Sequence, residues 1–137
     1  TVWPGRCEII SQNPFVVLDG AQNVASTKAL KETIKENFKY KRQILVLGIS
    51  SDKDIEGMCD EIYDLADEIV LTKANNPRAT KPNTLAKYLG GKEVHVTYNI
   101  EKAWALACRL AKKDDLVLVC GSLFVVGEFR TLFKGAA

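Results

Sequence analysis

One histidine and one methionine in 137 residues, with no block of like charge, narrow what this chain can do before any motif is sought. A single histidine, His95, cannot build a His-rich metal site, and no nucleophile with a partnering histidine is evident. Lys and Arg number 19 against 17 Asp and Glu, a net charge of +2, and the two signs are interspersed. That leaves no basic stripe for nucleic acid, which is excluded as a partner. No apolar run approaches the roughly 20 residues that span a bilayer, and no signal-peptide pattern is present, so no membrane partner is expected. The four cysteines, Cys7, Cys59, Cys108 and Cys120, contain no Cys-x-x-Cys pair and sit inside apolar patterns. They read as buried thiols of a reducing compartment, the cytoplasm, rather than as disulfides or zinc ligands. No Gly-x-Gly-x-x-Gly follows the first strand, and Gly90-Gly91-Lys92 runs into Glu93 where a phosphate loop needs Ser or Thr. The chain lacks the parts to split ATP alone, and no residue in it is assigned a catalytic role.

What is present is alternation. Short runs rich in Val, Ile and Leu read as buried parallel strands: Phe15–Leu18, Ile44–Ile49, Glu68–Thr72, Glu93–Thr97 and Leu116–Cys120. Cys7–Ser11 reads as a further strand, joined by Gln12-Asn13-Pro14 to Phe15–Leu18 as an antiparallel pair. Between them lie helical stripes: Leu30, Ile34 and Phe38; Ile55 through Leu65 and Ala66; Ile100 through Leu110 and Ala111. Pro82–Tyr88 forms a shorter helix ended by Gly90-Gly91, and Ser122–Phe133 a last one. The expected fold is one α/β domain, residues 1–137. It has a mostly parallel, Rossmann-like twisted sheet of about six strands, helices on both faces and an antiparallel N-terminal edge.

Polar residues collect where the strands end. Phe15–Leu18 runs into Asp19-Gly20, Ile44–Ile49 into Ser50-Ser51-Asp52-Lys53-Asp54, Glu68–Thr72 into Lys73-Ala74-Asn75-Asn76-Pro77-Arg78, and Leu116–Cys120 into Gly121-Ser122. In a parallel sheet these ends share one edge, so Asp19, Asn23, Lys53, Arg78 and Ser122 are expected to line one crevice. Helix starts there add free N–H groups and partial positive charge, which suit an anionic ligand such as a nucleotide. Each residue also has a plainer role: Asp19-Gly20 as a turn, Asn23 or Ser26 and Ser122 as helix caps, Lys53 and Arg78 as solvated loop charges. His95 alternates with Val94 and Val96 and reads as structural, and Trp3 and Trp104 as packing residues.

The run Trp3-Pro4-Gly5-Arg6-Cys7-Glu8, followed by Leu18-Asp19-Gly20-Ala21-Gln22-Asn23, resembles the opening of the C-terminal domain of folylpolyglutamate synthase and dihydrofolate synthase. These are members of the Mur ligase superfamily of ATP-dependent amide-forming ligases. Ser51-Asp52-Lys53-Asp54, Asn76-Pro77-Arg78-Ala79 and Gly121-Ser122-Leu123-Phe124-Val125-Val126-Gly127 match the same family in its order, so the resemblance covers nearly the whole chain. It implies that the chain, which starts at Thr1, is a fragment of a longer one. The missing N-terminal domain would carry the phosphate loop, the Mg2+ ligands and most folate contacts, and would be this domain's partner. ATP would phosphorylate a folate carboxylate, and the amine of L-glutamate would attack the acyl phosphate to form an amide.

The resemblance also implies residue roles. Arg6 and Asp19 match nucleotide-contacting positions, with Asp19 placed for the ribose hydroxyls. Lys53 and Ser122 match positions that face the incoming amino acid, and Arg78 the arginine that reads it in some cell-wall ligases. Gln22 and Asn23 join this glutamate-binding set. Where the family commonly has Asp-Gly-Ala-His-Asn, this chain has Gln22, which can donate and accept a hydrogen bond but does not titrate. The alternatives are a cell-wall ligase of the same superfamily or a ligand-binding module without chemistry. A phosphate-accepting receiver domain is disfavoured, because no lysine follows the late strands.

Overall fold

The computed structural model describes residues 7–135. Six strands form one sheet: β1 Glu8–Gln12, β2 Phe15–Leu18, β3 Gln43–Leu47, β4 Glu68–Leu71, β5 Glu93–Val96 and β6 Leu116–Cys120, in the order β1-β2-β6-β3-β4-β5. Five run parallel and β1 lies antiparallel against β2, as expected from the sequence. The helices are α1 Val24–Asn37, α2 Ile55–Ile62, α3 Pro82–Ala86, α4 Ile100–Leu110 and α5 Leu123–Gly135.

The order follows from right-handed crossovers. From β2 the chain moves through α1 to β3, then outward through α2 and α3 to β4 and β5. The return from β5 travels in the opposite direction, so α4 must cover the opposite face. β6 then fills the gap between β2 and β3, and every residue of β3 and β6 is buried. Alternate side chains divide between the two layers. Leu45, Ile69 and Leu118 meet Ile34 of α1 and Met58 and Ile62 of α2, whereas Val46, Val70 and Val119 meet Ala103 of α4 and Val126 and Phe129 of α5. Each fully buried aliphatic contributes roughly 1.5–3 kcal/mol.

Several element ends differ from the sequence reading by a residue or two: β1 is Glu8–Gln12 rather than Cys7–Ser11, β4 and β5 stop at Leu71 and Val96 rather than Thr72 and Thr97, α3 stops at Ala86 and α5 runs Leu123–Gly135. β3 stops at Leu47 rather than running to Ile49, and at Gly48 the backbone comes too close to its neighbours to leave room for a side chain. A Cβ on Gly48 would stand 2.9 Å from the Thr72 carbonyl oxygen and 2.8 Å from Val125 Cγ2. α2 is also shorter than its apolar stripe: the last turn tightens into a 3-10 turn, Tyr63–Leu65, that still buries Leu65 and Ala66. His95 is structural, its Nε2 lying 3.0 Å from Glu68 Oε2, while Arg42 holds the other oxygen of that carboxylate at 2.8 Å. Trp104 packs edge-on against Phe129 and Phe133. No helix among the described residues is long and apolar enough to cross a membrane.

Burial governs the thiols. It pushes Cys59 up to about 12 and raises Cys120 further, with the neighbouring carboxylates adding to both, whereas exposed Cys108 is raised only by partial desolvation. The thiolate is the reactive form. Iodoacetamide at neutral pH is therefore expected to modify Cys108 alone of Cys59, Cys108 and Cys120, slowly, with the other two appearing only in denaturant. Peptide mapping by mass spectrometry reads this directly, and early labelling of Cys120 would contradict the burial argument.

Candidate functional site at the carboxyl edge of the sheet

β6 is followed by α5 on one face, while its neighbours β2 and β3 lead into α1 and α2 on the other. Connections leaving adjacent strands in opposite directions open a crevice at their carboxyl ends, the usual ligand position in such sheets. Backbone bonds tie the loops there into one rim. Asp19 N donates to Val119 O at 2.9 Å, Gly121 N to Ala21 O at 3.1 Å, and Gly48 N to Cys120 O at 3.4 Å. Ser51 N donates to Arg78 O at 2.6 Å beside a Ser50–Ala79 bridge, which joins the loop after β3 to the loop after β4. Asp19, Gln22, Asn23, Lys53, Arg78 and Ser122 thus all belong to one edge. Arg6 lies outside the described residues.

Their side chains are employed differently. Asp19 is only 5% exposed, and its two oxygens accept from Cys7 N and Ala21 N, each at 2.8 Å. It clasps the start of β1 to the loop after β2, and each oxygen keeps a second lone pair. Asn23 caps α1: its Oδ1 accepts from Ser26 N at 2.7 Å while Ser26 Oγ accepts from Asn23 N at 3.2 Å. Ser122 is buried, and its Oγ accepts from Phe124 N at 3.1 Å and Val125 N at 3.4 Å, the cap of α5. The plainer roles therefore hold for Asn23 and Ser122, and Asp54 likewise caps α2 through Gly57 N at 3.0 Å. The Gln22 amide makes no side-chain hydrogen bond among the described residues and remains available. Lys53 Nζ stands 3.7 Å from exposed Asp52, and Arg78 is exposed.

Two hollows mark the rim. A recess of about 10 Å³, room for one water, is lined by Ser50, Lys73, Asn76, Ser122 and Phe124. Beside it a cleft of about 540 Å³ is bounded by Lys73, Asn75, Tyr98, Glu101 and Glu128. Of the described candidate residues, Ser122 alone lines the recess. Lys73 and Asn76, outside that set, line it too, and both lie in the same strand-end segment as Arg78, so their position after β4 is the signal the sequence carries. Leu123 and Phe124, 52% and 44% exposed, leave an apolar step on the same rim. No group of three or more His, Cys, Asp or Glu gathers into a metal site among the described residues.

Residues 5–123 match the family model of the Mur ligase, glutamate ligase domain. The chain is 41% identical over 132 residues to a probable bifunctional folylpolyglutamate synthase/dihydropteroate synthase of Halobacterium salinarum, covering 94% of this chain and 16% of that protein. It superposes on an E. coli FolC in complex with DHPP and ADP with a TM-score of 0.91 at 30% identity, covering 98% of this chain and 32% of that one. A bifunctional folylpolyglutamate synthase/dihydrofolate synthase with Mn, AMPPNP and L-glutamate bound gives a TM-score of 0.86 at 28% identity over 97% of this chain and 32% of its own. The chain thus spans between about a sixth and a third of the length of these relatives.

Proposed function

This chain belongs to the Mur ligase family as a glutamate ligase domain, and we propose that it is the C-terminal part of a cytoplasmic, ATP-dependent ligase that adds L-glutamate to folate. The observation that carries the proposal is the single rim built at the switch in strand connections. It collects the motifs after β2, β3, β4 and β6 in the family's order. Relatives bound to ADP, and to AMPPNP with L-glutamate and Mn, support the choice of ligands.

In this reading the partner is an N-terminal domain of the same chain. That domain holds the phosphate loop and the folate, and it supplies the ligands for the divalent metal, which neutralises phosphate charge when bound. The present domain provides the nucleotide's second wall and the amino-acid side of the cleft. Arg6 and the open lone pairs of Asp19 face ATP. Lys53, Arg78 and the Gln22 amide take the glutamate carboxylates, with the α5 start at Ser122 behind them and Asn23 fixing the α1 start. Asn23 and Ser122 are then positioning residues rather than ligands. The chemistry needs little more from this domain. Once a carboxylate carries phosphate as a leaving group, holding the amine against it supplies the orientation term, and closure keeps water from hydrolysing it.

The full-length chain is expected to release ADP only when folate and L-glutamate are both present, with a γ-linked glutamyl product detectable by mass spectrometry. The domain alone is expected to release none. Steady ATP turnover by residues 1–137 would defeat the proposal. Strict dependence on a muramyl peptide in place of folate would move the chain to the cell-wall branch.

A further inference from the structure

Among the described residues, half-buried cations are paired, with one exception. Lys31 Nζ meets Glu61 at 3.1 Å, Arg42 meets Glu68 at 2.8 Å, and Arg130 Nε meets Glu8 at 2.5 Å. Lys53 stands 3.7 Å from Asp52, and Lys92 Nζ donates to the Ala66 carbonyl at 2.6 Å while lying 4.5 Å from the Tyr63 ring centre. Lys73 is equally half-buried, yet it has neither a hydrogen bond nor an ion pair among the described residues. Partial desolvation of an ammonium without a partner is unfavourable. The cost is recovered when an anion arrives.

The position of Lys73 indicates which anion. It immediately follows Thr72 at the carboxyl end of β4 and lines both hollows, the Ser122 recess on one side and the larger cleft on the other. The cleft carries carboxylates as well as this ammonium: Glu101 at the start of α4 and Glu128 of α5. Glu128 spends Oε2 on Asn75 N at 2.6 Å, and no hydrogen bond engages its other oxygen among the described residues. A polyphosphate entering here would meet two like charges. A molecule carrying both a carboxylate and an ammonium would find a complement for each, and about 540 Å³ accommodates an amino acid with room for solvent. We propose that Lys73 binds a carboxylate of the incoming free amino acid, with the amine directed toward Glu128, as a further specificity-determining contact of the ligase. The assignment rests on the glutamate-adding function proposed above. It adds a residue that the motif likeness did not select.

The test uses the full-length enzyme with Lys73→Met, which keeps the aliphatic stem, and Lys73→Arg, which keeps the charge. A charge-assisted contact of this kind predicts that Lys73→Met raises KM for L-glutamate on the order of 10-fold to 100-fold, with KM for ATP and for folate within about 2-fold. Lys73→Arg should recover most of the loss, which a purely packing role for the side chain would not require. An unchanged KM for L-glutamate in Lys73→Met, alongside glutamate-dependent wild-type turnover, overturns the Lys73 assignment and leaves the ligase reading standing. So does a rise confined to the folate acceptor, which would place a glutamyl tail in the cleft. A wild-type enzyme that releases no ADP in response to folate and glutamate overturns both.

Discussion

Gly121→Ala is expected to lower the stability of this domain by about 3–5 kcal/mol, combining the strain of a disfavoured backbone conformation with overpacking. Two independent facts converge on this glycine. Its φ of +104° lies in a region that side chains rarely adopt, and a Cβ there would fall on the Gly48 carbonyl oxygen and 2.8 Å from Leu47 Cδ1. The oxygen belongs to the backbone at the end of β3, held in register by β4 and β6, so it cannot swing aside. A loss of that size is a large share of the roughly 5–15 kcal/mol that keeps a domain folded. In urea the unfolding midpoint should fall by more than about 1 M with the slope unchanged. A midpoint within experimental error of wild type would show that the loop after β6 relaxes freely, and the tight packing of these strand ends would have to be abandoned.

Asp19→Ala is the second large effect, and it separates a structural role from a binding one. The substitution removes the carboxylate that accepts from two amides, Cys7 N and Ala21 N, in a place from which water is largely excluded. Each stranded donor costs roughly 1–3 kcal/mol, so a loss of about 3 kcal/mol is expected. Asp19→Asn keeps one acceptor and turns an NH2 toward the other amide, so it should fall between the two. In the full-length enzyme, Asp19→Ala should also raise KM for ATP more than KM for L-glutamate, because in the proposed function the clasp and the nucleotide share the same oxygens. Equal rises in both would mean that the rim collapses as a unit, and the nucleotide role would lose its support. Undiminished stability would remove the clasp itself.

The layout of the sheet was legible because its signals are local. Leu116–Cys120 is a run of apolar residues that only a strand buried on both faces can use, and Asn23 and Ser122 announce helix starts by their chemistry. The shared edge followed from topology: once strands alternate with helices, every strand-to-helix loop must lie at the same end. The details that depend on partners were not legible. Nothing in Gly48-Ile49 or Gly121-Ser122 tells that two backbones approach too closely for a methyl group. Nothing around Asp19 tells that its oxygens reach twelve residues back to Cys7. Lys73 looked like any loop lysine, since a missing partner is a property of the surroundings and leaves no mark in the sequence. Gln22 contrasts with the family's usual histidine in the sequence itself, but whether its amide is engaged depends on the folded surroundings.

The central position of β6 has a consequence for synthesis. Its register to β2 begins with Leu116 opposite Phe15, and to β3 with Leu116 opposite Gln43, so the strand that completes the middle of the sheet is the last of its six strands to leave the ribosome. Until then β1-β2 and β3-β4-β5 are two ribbons with facing unpaired edges, and loop closure across about a hundred residues must come before the final pairing is rewarded. Nascent chains that stall before Leu116 would display those edges to chaperones or to one another. The rim at the carboxyl edge, which needs Gly121 and Ser122, can only appear after this last strand has docked.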